Sequence, residues 1–278
     1  MKLTERMLEP AKCVYRAMHR IAVQTRGVLR RHNMFRNAND RQLALYKDKH
    51  LGKRCFLIGN GPSLTTEDLD KIANETSIAC NMIYKVFDNT SWRPNYHCVT
   101  ETRYAEKNAE EFTQNIHTPF FTTRSCWKRM GCTPQKTIYV DDFCKKEYAV
   151  HGNLLDYFTP GGSVMVFMLE LAIYMGFQEI YLLGVDNTNS LRSGGHFTNG
   201  YENEDIIQTN VARVKRILRA KDLTPEQTGD YQVQQARQAY QRVAQYASAH
   251  GIKIFNATRN GALEVFPRVV LEDIVPDM

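Results

Sequence analysis

The sequence predicts an α/β fold: a doubly wound, mostly parallel sheet in a single domain, preceded by a basic helical arm. Three observations lead to this prediction. Short apolar runs alternate with helical segments from Gly52 onward, a strand–glycine turn–helix unit opens that alternation, and basic residues concentrate before it. We place the arm at residues 1–42 and the α/β domain at residues 43–278.

The arm is predicted to be an amphipathic helix. Apolar residues recur at spacings of three and four from Leu3 to Val28, and Pro10 marks a point where the helix could break. Residues 1–54 carry 14 Lys and Arg against four acidic residues, although the whole chain has a net charge of only +6. Two interpretations stand: a helix lying on an anionic membrane surface, or a helix packed on its own domain or on a second subunit.

The α/β pattern opens in residues 54–64, RCFLIGNGPSL. The apolar residues predict a buried parallel strand, and the residues that follow predict a tight turn and a helix start: Gly59, Asn60, Gly61, Pro62 and Ser63. Such a unit can hold a phosphate, because glycines let a ligand approach the backbone and the N–H groups of a helix start face an anion. The same residues also fit a tight strand–helix connection without a ligand.

The remaining elements alternate in the same way, as in a Rossmann-like sheet. Further strands are predicted at residues 77–80, 96–100, 120–123, 137–140, 179–183 and 253–255. Helices are predicted at residues 65–73, 104–112, 164–175 and 231–250. Ligands of such sheets bind at the carboxyl ends of the strands. The polar residues that follow the predicted strands are Asn60, Asn81, Thr100, Glu101, Asp186 and Asn256.

A second glycine-rich segment precedes the apolar helix at 164–175. Gly161, Gly162 and Ser163 could bind an anion or a sugar carboxylate through backbone N–H groups and a hydroxyl, or Ser163 could simply cap the helix. Farther on, residues 190–205 form a polar loop that we interpret as a lid over the substrate. Within it, His196 is either a general base, a partner of a leaving phosphate or an ordinary solvated side chain.

Composition restricts the class of protein. The chain has 278 residues, 43% of them hydrophobic, and no apolar run approaches the ~20 residues of a membrane-spanning helix. Charged residues interrupt the N-terminus, so no signal peptide is predicted. The seven cysteines contain no CxxC pair, which favours reduced core thiols over disulfides or a zinc site. We expect a cytoplasmic protein, peripheral at the inner face of the membrane if the arm binds lipid.

Several sequence blocks, in order, resemble two related families. The blocks are residues 52–64, 79–84, 161–164, 176–186, 195–197, 256–258 and 264–266. One family is the bacterial CMP-sialic-acid-dependent sialyltransferases. The other is the MptE-like 6-hydroxymethylpterin diphosphokinase family, with its bacterial surface-polysaccharide members. The resemblance spans residues 43–269 and leaves the basic arm unexplained.

The resemblance implies roles for individual residues. It implies that Asn60, Gly61, Ser63 and Asn81 hold the nucleotide and that Thr100 contacts the donor. Tyr201 shares the loop of His196, which falls where sialyltransferase tyrosines bind the phosphate. The sialyltransferases place their catalytic histidine near the start of the last long helix, where this chain has residues 231–235 and no histidine. Either His196 substitutes for it, or the donor and acceptor differ.

We therefore expect a transferase, a glycosyltransferase-like enzyme that uses a nucleotide-sugar donor, CMP-linked, and a surface-glycan or lipid-linked acceptor. The alternatives are a 6-hydroxymethylpterin diphosphokinase-like enzyme, which would need ATP and Mg²⁺, and a non-catalytic scaffold of polysaccharide assembly. The expected catalytic residues are His196, Asp186 and Glu101. The expected donor-binding residues are Gly59, Asn60, Gly61, Pro62, Ser63, Asn81, Thr100, Gly161, Gly162, Ser163, Gly184, Tyr201 and Asn256.

The cofactor and partner expectations follow from the same interpretation. A glycosyltransferase of this kind is expected to need no cofactor and no metal. The expected partners are the donor, the acceptor, an anionic membrane surface through the arm, and a second copy of the chain in a homo-oligomer. Nucleic acid is not expected, because no interleaved aromatic or base-reading pattern accompanies the basic residues.

Overall fold

The computed structural model describes residues 2–143, 148–189 and 222–275, together with residues 208, 211, 212, 214, 215 and 218. Its centre is one seven-stranded sheet in the order β5-β4-β3-β2-β1-β6-β7, in which every described pair of neighbours is parallel. The strands are β1 Arg54–Ile58, β2 Ser77–Cys80, β3 Tyr96–Val99, β4 Phe120–Thr123, β5 Thr137–Val140, β6 Glu179–Leu183 and β7 Lys253–Asn256. The predicted doubly wound, Rossmann-like α/β fold is confirmed.

The helices precede the sheet, connect its strands and follow it. They are α1 Lys2–Arg31, α2 Ala38–Ala44, α3 Thr66–Lys71, α4 Thr102–Lys107, α5 Ala109–Asn115, α6 Arg124–Trp127, α7 Val164–Tyr174, α8 Pro225–Ala249 and α9 Leu271–Ile274, with a 3₁₀ turn at Ile83–Val86. Among the described residues, no helix is both long and apolar enough to cross a membrane.

Three helix predictions need correction. The helix predicted at 65–73, with a start indicated as early as Pro62 and Ser63, begins at Thr66, because Thr65 and Asp68 form a capping box there. The helix predicted at 104–112 is two helices that meet at Asn108, whose side-chain amide donates to the carbonyl of Tyr104. The last long helix begins at residue 225 instead of 231, since Thr224 caps it with Pro225 in its first turn.

Helix α7 lies at the centre of the main core. Each residue from Met165 to Tyr174 is buried, including Glu170. A helix that is apolar on all sides must be covered on all sides. It packs against β1, β2 and β3 on one side and against α8 on the other. The helix is therefore held between the sheet and α8.

The C-terminal half of α1 packs on the α/β domain. Val23 is fully buried with Phe143 and Tyr157. Arg30 is 1% exposed and forms ion pairs of 2.8 Å with both Asp40 and Asp141. The backbone of α1 continues through Pro10 without a break. Helix α2 spans the predicted boundary at residue 42, and its Leu43 is fully buried in the main core.

The cysteines of the described strands are reduced core residues, as predicted. Cys55, Cys80 and Cys98 are buried and unpaired by disulfides, and burial raises the pKa of each thiol. Such thiols pack as small apolar side chains.

Candidate functional site

The carboxyl edge of the sheet has one topological switch point. The strand order runs from β5 to β1 on one side, and β6 and β7 continue on the other. The connections therefore leave in opposite directions from β1 and β6, which opens a crevice between their carboxyl ends. The segments at this crevice are residues 59–64 after β1 and residues 184–189 after β6.

The turn after β1 is bound directly to the turn after β6. Ser63 Oγ donates a hydrogen bond of 2.8 Å to Oδ2 of Asp186, and the Gly61 N–H donates to the carbonyl of Gly184 at 2.9 Å. A Cβ atom at Gly61 would overlap the Asp186 carboxylate, and one at Gly59 would overlap the Gly184 carbonyl. Both glycines are thus required by the close approach of two protein segments.

The segment after β7 completes this unit. The Ala262 N–H donates to the carbonyl of Asp186 at 2.7 Å, and Thr258 Oγ1 accepts from the N–H of Val185 at 2.9 Å. Asp186 is consequently only 8% exposed. A carboxylate held by a hydroxyl in a largely buried position is a suitable acceptor for a substrate proton or hydroxyl group.

Arg259 lies at the edge of the site and is not among the residues predicted from the sequence. Its guanidinium donates to Oδ1 of Asp68 at 2.7 Å and to the carbonyl of Ser63 at 3.2 Å. It thereby joins the β7 turn to the start of α3. Its position directly after the predicted block at 256–258, at the end of a strand, was the one indication in the sequence that Arg259 belongs to the site. Its partner Asp68, however, lies 191 positions away in sequence.

The start of α3 differs from the predicted anion cradle. Helix α3 has six residues, and its first turn contains Glu67 and Asp68. The Asp68 carboxylate accepts from the Thr65 N–H at 2.9 Å and binds Arg259. Negative charge at a helix N-terminus already satisfies its N–H groups and its dipole. The start of α3 is therefore less suited to a ligand phosphate than the sequence predicts, and donor binding by residues 59–63 stays a prediction.

The start of α7 has the opposite character. Its first turn contains no acidic residue, and Ser163 Oγ accepts from the Met165 N–H at 3.2 Å as the N-cap. Gly162 is exposed, with a φ of +84° that few side chains tolerate. Thr159, just upstream, is 1% exposed, and its hydroxyl has no hydrogen-bond partner among the described residues.

A buried tyrosine lies beside this helix start. Tyr240 of α8 lies with its hydroxyl 3.4 Å from Ser163 Oγ. Burial, with a smaller contribution from Cys80, raises the pKa of Tyr240 to about 12, so the phenol stays protonated. The Asn60 amide donates to the carbonyl of the same Cys80 at 3.1 Å. Asn60 thus contacts the end of β2, and Ser163 contacts Tyr240.

The other asparagine, Asn81, follows β2 directly. Its φ is +52°, a conformation that asparagine adopts more readily than most residues, and its N–H donates to the Cys98 carbonyl at 3.1 Å. Its side chain is half-buried. The positive φ explains why asparagine fits at this position. Because it directly follows β2, Asn81 lies at the carboxyl edge of the sheet.

Two of the residues predicted for the site, Glu101 and Asn256, have structural roles. Glu101 caps α4, because its Oε2 accepts from the Tyr104 N–H at 2.6 Å. Asn256 is fully buried; its amide donates to the Leu263 carbonyl at 2.8 Å and its Oδ1 accepts from Thr258. Asn256 therefore shapes the β7 turn and cannot reach a donor without breaking both bonds; that it binds the donor stays an untested prediction. Thr100 lies half-buried beside Glu101.

The expected catalytic loop lies outside the described residues. This applies to His196, to Tyr201 and to the lid interpretation of residues 190–205. Among the described residues, His97 is a fully buried core residue stacked on Phe120, and burial lowers its pKa to about 3. The described residues contain no cluster of three or more His, Cys, Asp or Glu side chains arranged for a metal ion.

A cleft of about 630 Å³ lies on another face of α8. Arg237, Gln241, Ala262 and Glu264 are among the residues that line it. None of the residues predicted from the sequence does so, and we place the candidate site at the strand ends, where the predicted polar groups converge.

Comparison with known proteins gives one family and one similar fold. A family model described as 6-hydroxymethylpterin diphosphokinase MptE-like matches residues 31–190. No protein of curated function matches the chain. The structure of the MAf glycosyltransferase from Magnetospirillum magneticum AMB-1 is similar at 15% identity with a TM-score of 0.48, over 83% of this chain. The chain covers 37% of that longer chain.

Proposed function

The chain belongs to the MptE-like family of 6-hydroxymethylpterin diphosphokinase relatives, and from this premise we propose that it is a glycosyltransferase-like enzyme. It would bind a nucleotide-sugar, CMP-linked, at the carboxyl edge of the sheet. It would transfer the sugar to a hydroxyl group of a surface-glycan or lipid-linked acceptor.

The contrast between the two helix starts at this edge carries the proposal. The start of α3 already has Asp68 and Arg259 in place, whereas α7 begins with Ser163 and three apolar residues. A helix N-terminus without its own carboxylate attracts an anion. The donor phosphate is therefore assigned to residues 161–163, with Thr159 beside them as a hydroxyl that has a hydrogen bond to give.

Neutral amides at the ends of two neighbouring strands suit the nucleoside. Asn60 and Asn81 lie at the ends of the adjacent strands β1 and β2. An amide can donate and accept in one plane, as recognition of a base or a ribose requires. One helix start and two neutral amides favour a nucleoside monophosphate as the leaving group over the four negative charges of ATP.

The chemistry needs a base and a leaving group. The acceptor hydroxyl would lose its proton to the base, its oxygen would bond to the anomeric carbon, and the bond from that carbon to the phosphate oxygen would break. Asp186 is the carboxylate that the described residues offer at the crevice. His196 is the second candidate, assigned from the sequence, either as this base or as a proton donor to the leaving phosphate.

The family name, 6-hydroxymethylpterin diphosphokinase MptE-like, favours a second candidate function. This is the transfer of a pyrophosphoryl group from ATP, with Mg²⁺, to a pterin. Asp186 would then be a metal ligand instead of a base. A scaffold without catalysis is the third alternative, and it predicts that no nucleotide binds.

A thermal-shift screen separates the three. We expect CMP or CDP to raise the unfolding temperature without Mg²⁺; ligand at a hundredfold excess over its dissociation constant stabilises by ~2.7 kcal/mol. Selective stabilisation by ATP that requires Mg²⁺ would support the diphosphokinase alternative. No shift with CMP, CDP, UDP, GDP or ATP would support the scaffold.

A further inference from the structure

Among the α1 residues whose side chains are described, one face of the helix contacts the domain. Val23, Gly27 and Arg30 face the domain and are buried. At 3.6 residues per turn, the opposite face carries Val14, Met18 and Ile21. These three side chains are 59%, 65% and 63% exposed. The helix therefore presents an apolar face to solvent, which in a folded protein is typical of an interaction surface.

The apolar residues of α1 are spaced as in a heptad repeat. Positions 7, 11, 14, 18, 21, 25 and 28 alternate steps of four and three residues and hold Met, Ala, Val, Met, Ile, Thr and Val. An alternation of this kind averages 3.5 residues and keeps one stripe facing a partner helix along three heptads. We call positions 7–28 of this series the α1 seam. Its members Thr25 and Val28 are also exposed.

The arginines of α1 with described side chains point away from the seam. Arg20 lies over the Phe143 ring at 5.6 Å, Arg26 pairs with Asp141 at 2.9 Å, and Arg31 pairs with Asp156 at 3.2 Å. Arg30 is buried on the same side. A helix that lies on anionic lipid needs its cations beside the apolar face, facing the headgroups. Here these cations are bound to the domain itself.

The positions that flank the seam carry no charge that would repel a like helix. Tyr15 and Ala22 lie along one side, and Ala17 and Gln24 along the other. In coiled coils these flanking positions set partner choice through their charges. Neutral flanks allow the same helix of another copy to approach, even though residues 1–54 are strongly basic overall.

We propose that the α1 seam pairs with the α1 seam of a second copy of this chain and makes the protein a homo-oligomer. This rests on the arm alone and does not depend on the proposed function. It would hold the α/β domains on the outside of a central helical bundle, because the domain lies on the face of α1 opposite the seam.

The test is the mass of the full chain in solution, measured by sedimentation or light scattering over a range of concentrations. Wild type is expected to associate. Ile21→Glu should weaken association by roughly a hundredfold, since it places a charge in an apolar interface. Leu45→Glu is the matched control, because it replaces an exposed apolar side chain outside α1 with the same charged residue and should keep the wild-type mass. Thr25→Ile, which makes the seam more apolar, should tighten association by about tenfold.

Circular dichroism and thermal melting confirm that each variant is folded. A wild-type chain that stays single at all concentrations overturns the proposal, most directly if it pellets with phosphatidylglycerol vesicles, which would make the helix a lipid-binding one. Association that survives Ile21→Glu in a folded protein overturns it as well, because the interface would then lie elsewhere.

Discussion

Ser63 Oγ donates a 2.8 Å hydrogen bond to Oδ2 of Asp186, across 123 positions of sequence. This bond joins the turn after β1 to the turn after β6 at the switch point of the sheet. It sets the orientation of a carboxylate that is 8% exposed. The geometry of the crevice therefore depends on how closely residues 59–63 approach Asp186.

The close approach at Gly61 can be tested by adding one methyl group. Gly61→Ala should destabilise the fold by ~1–3 kcal/mol, because its Cβ would overlap Asp186 and the Gly184 carbonyl. The free energy of unfolding in urea measures this. Gly131→Ala is the matched control: a Cβ there meets nothing within 4 Å, and its stability should change little. Equal stability of the two variants would contradict the described packing.

The role of Asn81 in nucleotide binding can be separated from its backbone role. Asn81→Gly removes the amide but keeps a residue that accepts a φ of +52°. We expect nucleotide affinity to fall by ~1–3 kcal/mol, with little change in unfolding temperature. Asn81→Ala should lose the same affinity and some stability as well, owing to backbone strain. Unchanged affinity of the glycine variant by calorimetry would remove Asn81 from the site.

Glu170 should make stability depend on pH. Burial raises its pKa from 4.5 to about 7, in spite of hydrogen bonds from Tyr148 at 2.9 Å and the His151 N–H at 3.1 Å. The folded state thus holds the proton more tightly than the unfolded state. Its contribution to stability is fully present below pH 4.5 and is lost as the pH rises through about 7.

Glu170→Gln tests this directly, because the amide is neutral at every pH. Urea unfolding of both proteins from pH 5 to pH 8 gives a difference curve in which other titrations cancel. The variant should gain on wild type as the pH rises, by up to ~3 kcal/mol. A difference that is flat with pH would show that Glu170 is not held neutral by burial.

The base of the proposed transfer reaction can be identified by two variants. Asp186→Asn keeps an acceptor for Ser63 but cannot take a proton, so turnover should fall by ~10²–10⁴-fold if Asp186 is the base. His196→Ala should cause a comparable loss if the histidine takes part. Its role follows from the pH profile: a base gives a rate that rises with pH through its pKa, and a proton donor to phosphate gives a rate that falls. Near-normal turnover of both variants would exclude both residues.

Most of the sheet could be predicted from the sequence. The runs at residues 77–80, 120–123, 137–140 and 179–183 form strands with the predicted bounds, because buried parallel strands are short apolar runs that local composition reveals. Asn60, Ser63 and Asp186 also meet at one edge, as the rule for carboxyl ends requires.

What could not be predicted depends on contacts between distant segments. Pro62 and Ser63 are typical of a helix start, but the helix begins later, at Thr66, because Thr65 and Asp68 form the capping box. Arg259 binds Asp68, which lies 191 positions away in sequence. Gly61 must be a glycine because Asp186, also distant in sequence, approaches it closely. Asn256 ends a strand as Asn81 follows one, but the turn directly after β7 folds back over it and uses both ends of its amide, a contact that is local but that the residue pattern does not reveal.

The central claim, that a donor phosphate binds at the start of α7, is tested most directly by titration calorimetry of CMP with Ser163→Asp. Aspartate is as good an N-cap as serine, so the helix should keep its stability, while its charge occupies the place of the phosphate. We expect CMP affinity to fall by at least about tenfold and cytidine affinity to stay as in wild type. Equal CMP affinity of Ser163→Asp and wild type, or no binding of CMP to wild type, would contradict the account.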